Sequence, residues 1–164
     1  MRILLCFALA GFAGTAAAYD ANGVALGATE NTVRKQFPTA HCQPLQWTSR
    51  AADRRCDDAK VVIGGVESRI TFFLKQDQVQ AFDVRFQPKD AERLATFLKK
   101  RYGTPSGETR DKFETGDKRG AGELYKIAWQ KGPERAVLTA QTEKRRAFFT
   151  VSRGDFEEEI YRVR

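Results

Sequence analysis

The sequence offers few residues from which an active site could be assembled. Its 164 residues include one histidine, His41, and three cysteines. A serine or cysteine nucleophile needs a base beside it, and His41 is the only imidazole in the chain. The single Gly-Gly pair, Gly64-Gly65, lies in neither a GxGxxG nor a Walker pattern, the signatures of phosphate-binding loops. We therefore expect no catalytic residue and no cofactor.

Long apolar runs are also scarce, and the one candidate lies at the N-terminus. Arg2 supplies a positive charge, residues 3–14 are mostly apolar, and Ala16-Ala17-Ala18 forms a small-residue cleavage site before Tyr19. The run is shorter than the roughly 20 apolar residues that span a bilayer. This pattern predicts a signal peptide over residues 1–18 and a single α+β domain over residues 19–164. It also predicts a periplasmic or secreted protein that does not span the membrane.

The cysteines fit that compartment. Cys6 falls in the predicted signal peptide, which leaves Cys42 and Cys56 for the exported domain. Export to an oxidising compartment favours a disulfide between them. The alternative is a metal site built from the possible ligands of this region: His41, Cys42, Cys56, Asp57 and Asp58. The absence of a CxxC pair and the single histidine favour the disulfide, so we expect no bound metal.

The remaining sequence has the composition of a folded domain, with 41% apolar residues that include 12 phenylalanines. A short helix is indicated from Thr29, a capping residue, to Phe37, which shares one face with Val33. A second helix follows Pro88 and ends before Gly103, with an apolar stripe that packs on the sheet. The stripe comprises Ala91, Leu94, Ala95, Leu98 and Tyr102.

Alternating residues predict the strands. Residues 66–74 and 79–86 read as a hairpin around Gln76-Asp77, and residues 124–130, 135–142 and 147–152 read as three more strands. Residues 104–122 are rich in glycine and charge, which indicates a long loop, alone or with a short edge strand over residues 109–114. The expected class is α+β: an antiparallel sheet with two main helices packed on one face, and a hint of two loosely similar helix-plus-meander halves.

Two segments resemble known exported proteins. The stretch from Gly27 to Val33, leading to Phe37-Pro38 and then a hairpin, resembles the helix-hairpin unit of the SmpA/OmlA outer-membrane assembly lipoproteins and of the secreted β-lactamase-inhibitor fold. The Tyr102-Gly103-Thr104-Pro105 turn, followed at a distance by Trp129, is similar to a motif in many uncharacterised exported proteobacterial proteins. The resemblance implies a scaffold that binds other proteins with the exposed side of its sheet.

Positive charge is the remaining feature, since the chain carries a formal net charge of +7. The candidate contacts for an anionic partner are five residues of two basic clusters: Lys144, Arg145, Arg146, Lys100 and Arg101. Such clusters bind an anionic lipid headgroup, a polyanion or an acidic protein. No aromatic residues alternate with them as in a nucleic-acid stacking platform, so nucleic acid is not expected. We expect an envelope binding or accessory module; the alternative is an envelope hydrolase with an unrecognised site.

The first prediction concerns export. Mass spectrometry of the protein from its native host should find Tyr19 as the N-terminal residue, because cleavage is expected between Ala18 and Tyr19. Cytoplasmic protein that retains Met1 would contradict it.

Overall fold

The computed structural model describes residues 19–114 and 121–162. The predicted signal peptide, and residues 115–120 of the predicted loop, lie outside them. Strands account for 53% of the structure and helices for 19%. The predicted α+β class, with two main helices packed on one face of a sheet, is therefore wrong, and the protein is mostly β. Two polar segments add to the strand content: residues 54–59, for which no strand was predicted, and residues 107–114, where the alternative of an edge strand over 109–114 is the one that forms.

The elements in chain order are β1 (Asp20–Ala21), β2 (Val24–Ala25), α1 (Glu30–Gln36), β3 (His41–Pro44), β4 (Arg54–Ile63), β5 (Val66–Lys75), β6 (Gln78–Phe86), α2 (Ala91–Tyr102), β7 (Gly107–Glu114), β8 (Ala121–Lys131), β9 (Glu134–Gln141), β10 (Arg146–Arg153) and α3 (Phe156–Glu159). A 3₁₀ turn over Pro88–Asp90 leads into α2. No helix among the described residues is long and apolar enough to cross a bilayer.

The main sheet has eight antiparallel strands in the order β3-β4-β5-β6-β10-β9-β8-β7. Each side of it is a meander of four consecutive strands, and the last strand of each meander, β6 or β10, pairs with the other. The register of this central pair places Phe82 opposite Val151 and Phe86 opposite Ala147. Strands β3 and β7 are thus the two edges of the sheet.

The hydrophobic core lies between one face of this sheet and the helices α1 and α2. Val33 of α1 and Leu94 of α2 are fully buried in it. The α2 stripe from Ala91 to Leu98 is buried as predicted, and Tyr102 is half-buried against the same cluster. The predicted β5–β6 hairpin is also confirmed, and its turn residues Gln76 and Asp77 have the positive φ values typical of a two-residue hairpin turn.

The predicted disulfide joins Cys42 and Cys56, with a sequence separation of 14. These residues lie directly opposite each other in the β3–β4 pair. Edge strand β3 is only four residues long, so the covalent link adds to a short run of backbone hydrogen bonds. The disulfide therefore holds the edge of the sheet in register.

The turn between β4 and β5 is where the helix α2 meets the first meander. Gly64 and Gly65 form this turn, with φ values of +56° and +78°. A Cβ atom built on Gly64 would lie 2.5 Å from the ring of Phe97 in α2, whereas one on Gly65 would meet nothing within 4 Å. Only Gly64 thus meets two demands, a left-handed backbone and a close approach of the helix.

We predict that Gly64→Ala destabilises the protein more than Gly65→Ala does. Both changes place a Cβ in a left-handed conformation, at a cost of about 1 kcal/mol, but only Gly64→Ala also forces Phe97 to move, at a further cost of about 1 to 3 kcal/mol. Urea unfolding followed by circular dichroism measures the difference. Adding Phe97→Ala should remove most of the excess; equal effects of the two glycine substitutions would show that the contact is unimportant.

We also predict that Cys56→Ser lowers the free energy of unfolding by about 3 kcal/mol, since the disulfide closes a loop of about 15 residues. Urea unfolding with and without a reductant measures this. Reductant should weaken the wild-type protein and leave the Cys42→Ser/Cys56→Ser variant unchanged. Two alkylatable thiols in protein freshly isolated from an oxidising compartment would contradict the prediction.

Candidate functional site

The face of the sheet opposite α1 and α2 carries a groove of about 900 Å³. Successive side chains of a strand point to opposite faces of the sheet, so the residues that alternate with the core residues line this groove. Its lining comes from six adjacent strands, from β4 to β8 across the centre of the sheet, and from the α3 region. We call it the basic groove, since six cationic residues line it: Arg55, Arg85, Lys126, Arg135, Arg145 and Arg146.

Among the residues that the structure describes, two acidic ones, Asp83 and Glu157, line the groove beside the six cations. Asp83 is already engaged, because Arg85 Nε lies 3.1 Å from one of its carboxylate oxygens and the Thr150 hydroxyl donates to the other at 2.9 Å. Asp57, next to the groove, is held in the same way by Arg55 and by the Thr71 hydroxyl. Asp57 and Asp83 are therefore already bound by Arg55, Arg85 and two threonine hydroxyls, and they do not neutralise the remaining cations of the groove.

Four groove cations have no ion pair within the part of the chain that the structure describes: Lys126, Arg135, Arg145 and Arg146. All four are exposed to solvent. They belong to three neighbouring strands and one turn, so a single ligand lying in the groove meets several of them at once.

One line of residues across the sheet has an unusual charge arrangement. Arg69 of β5 is directly opposite Arg85 of β6, which in turn is opposite Phe148 of β10. The line continues through Thr139 to Lys126. Like charges directly opposite on neighbouring strands destabilise a sheet, and Arg69 has no ion pair among the described residues. An anion bound over this line would remove the repulsion.

Two cations of α2 are arranged differently, since each is paired within the protein. Lys99 Nζ of α2 lies 2.8 Å from Glu108 of β7, and Arg101 lies 2.6 Å from Asp20. The hydrogen bond from Lys99, together with one from the Tyr125 hydroxyl, lowers the pKa of Glu108. These pairs tie α2 to the strands around it.

One end of the groove is closed by an apolar wall. The residues of this wall, which we call the end wall, are Trp47, Phe156, Ile160 and Tyr161. The Trp47 indole donates to the Ile160 carbonyl at 2.8 Å and stacks on the Tyr161 ring at 5.9 Å between centroids. Phe156 packs on Phe73 of β5 at 5.5 Å between ring centroids. Despite these contacts, Tyr161 is 69% exposed to solvent.

The structure separates the five predicted contact residues. Arg145 and Arg146 line the basic groove, and Lys144 lies beside them in the β9–β10 turn. Lys100 and Arg101 lie at the C-terminal end of α2, which packs on the opposite face. The last residue of β6 pairs with the start of β10, and α2 begins just after β6. Because α2 has 12 residues, its C-terminal end lies about 18 Å from its start. The two clusters therefore do not converge.

Three cations of this face were missed by the sequence analysis: Arg69, Lys126 and Arg135. Each is a single charge inside a strand rather than part of a cluster, so a search for runs of basic residues passes over it. The usable signal was their alternation with buried residues, such as Ile70 beside Arg69 and Ile127 beside Lys126.

The residues considered for metal binding or catalysis occupy other positions. His41 is exposed on the edge strand β3, opposite Asp57. Glu30, Cys42 and Cys56 lie within 4.8 Å of one another, but both sulfurs are in the disulfide and neither is available as a thiolate ligand. Glu30 is bound by Arg54 and Arg34, and the hydrogen bond from Arg54 lowers its pKa. This cluster therefore has a structural role.

Comparison of the chain with protein-family models, with curated proteins and with solved structures finds no match. The geometry of the basic groove therefore carries the functional argument.

Proposed function

We propose that this protein is an exported binding or accessory module that holds an anionic envelope partner in the basic groove. The partner is an envelope protein or another anionic component of the envelope. Export is part of the proposal and rests on the predicted signal peptide over residues 1–18, with which the Cys42–Cys56 disulfide is compatible. The periplasm, or the medium after secretion, is the proposed location.

The uncompensated charge of the groove is the observation that carries this proposal. Lys126, Arg135, Arg145 and Arg146 face a common recess without ion pairs among the described residues. Charges of one sign that line a cleft with low-dielectric walls concentrate their field and attract counter-ions more strongly than the same charges on a flat surface. Lys99 and Arg101 of α2 differ from these four, because they are paired with Glu108 and Asp20.

The chemistry of the lining supports binding. No histidine and no cysteine is among the described residues that line the groove. The hydroxyls of Thr71 and Thr150 already donate their single protons to Asp57 and Asp83, which leaves the arginine and lysine side chains as the donors for a ligand. Arginine and lysine supply several donors without an acceptor, so this surface suits carboxylates and phosphates.

We predict that reversing two groove charges weakens envelope association. The variant Lys126→Glu/Arg135→Glu should bind an isolated envelope fraction at least about tenfold less tightly than the wild type, equal to about 1.4 kcal/mol. Both residues are exposed, so the fold should persist. Binding of both proteins is measured by co-sedimentation, and wild-type binding should fall as salt rises from about 0.05 to about 0.5 M because screening shortens the range of these charges.

The matched control is Lys35→Glu/Lys100→Glu, which makes the same change in net charge at two exposed residues on the helices. This control should bind like the wild type. Equal loss in both variants, or binding that ignores both variants and salt, would reject the groove as the binding site.

A further inference from the structure

We propose that the occupant of the basic groove is an acidic, extended segment of a partner protein that carries one aromatic or large aliphatic side chain. This inference rests on the proposed function and specifies the class of ligand. The aromatic or aliphatic side chain packs on the end wall, and the carboxylates that follow it lie over the cations toward the β9–β10 turn.

The acidic part of the ligand follows from the line Arg69, Arg85 and Lys126. Arg69 and Arg85 are direct cross-strand neighbours, so their Cβ atoms are about 5 Å apart. Asp83 contacts Arg85, and no described residue forms an ion pair with Arg69. Two guanidinium groups at this spacing match a carboxylate that accepts from both, because each guanidinium presents a planar set of donors.

The apolar part of the ligand follows from the end wall. Tyr161 is 69% exposed although it is a large aromatic residue, and it stacks on Trp47, whose indole N–H donates inward to the Ile160 carbonyl. Exposed aromatic surface beside uncompensated cations matches the composition of protein-binding sites, in which tyrosine, tryptophan and arginine are enriched. A polyphosphate chain has no group that would use this wall.

The length of the groove indicates that the bound segment is extended. Ser152 lies at the end-wall side, where its hydroxyl is 3.3 Å from Glu157, and Arg146 lies at the other end of the same strand. The two residues are six positions apart in β10, so the groove is about 20 Å long, which an extended segment of about six residues crosses.

Selection from a library of random peptides of about twelve residues, long enough to cross the groove with residues to spare, tests this inference. The target is the full chain expressed with its own leader and purified in its exported, disulfide-bonded form. Selection on the wild type should enrich peptides with several aspartates or glutamates and an aromatic or large aliphatic residue toward one end. Selection on Arg69→Gln/Arg85→Gln/Lys126→Gln should lose this enrichment.

The affinity of one enriched peptide should then fall at least about tenfold in the triple variant and stay unchanged in Lys100→Gln, whose residue lies on α2. In Tyr161→Ala the peptide should lose its preference over an analogue that has serine in place of the apolar residue. Arg69→Gln alone should leave the midpoint of thermal unfolding unchanged or raise it by a few degrees, about what removal of one like-charge contact gives. That result separates a binding role from a structural one.

Enriched peptides without net negative charge, or without an apolar residue, would overturn the inference. So would acidic peptides that bind the triple variant as well as the wild type. Binding of polyphosphate or of phosphatidylglycerol vesicles to the groove, with no acidic peptide enriched, would overturn it while the proposed function stands. Envelope association that ignores Lys126→Glu/Arg135→Glu would instead remove the proposed function itself.

Discussion

The pairing of β6 with β10 is the constraint on which the rest of the structure depends. It joins two four-stranded meanders into one sheet of eight strands and places Phe82 and Phe149 in ring contact, 6.2 Å apart between centroids. Because side chains alternate between the two faces of a strand, one shared core on the helix side determines which residues of all the central strands face the other side. A shift of one residue in this pair would move Arg85 into the core.

The basic groove is a consequence of that register. Arg55 of β4 and Lys126 of β8 are far apart in the sequence and belong to different meanders, yet both line the same recess. Lys99 of α2 is paired with Glu108 of β7, whereas Lys126 and Arg135 in the groove have no ion pair among the described residues. A sheet optimised for stability alone would not place Arg69 opposite Arg85. Such a local conflict between stability and sequence is typical of a functional surface.

The strands and helices that are buried on one side and exposed on the other were predictable from the sequence. The alternation of Phe82, Val84 and Phe86 gave the correct hairpin strand, and the stripe of α2 gave the correct helix face, since burial of one side leaves a period in the sequence. Strand β7 has no such period, because all eight of its residues are exposed at the edge of the sheet. Strand β4 begins in the polar stretch Arg54-Arg55, which carries little β signal. These two strands turned an expected α+β domain into a mostly β one.

The candidate site was only partly predictable for the same physical reason. By itself the sequence determined the disulfide pair, because two cysteines in a predicted exported domain leave one intramolecular pairing, and it identified Arg145 and Arg146 because they form a run of charge. Only the tertiary structure decided that Lys100 and Arg101 lie on another surface, that Lys126 and Arg135 line the groove, and that Arg69 lies opposite Arg85. Cross-strand neighbours are set by pairing between distant segments, and no local pattern in the sequence records which strands pair.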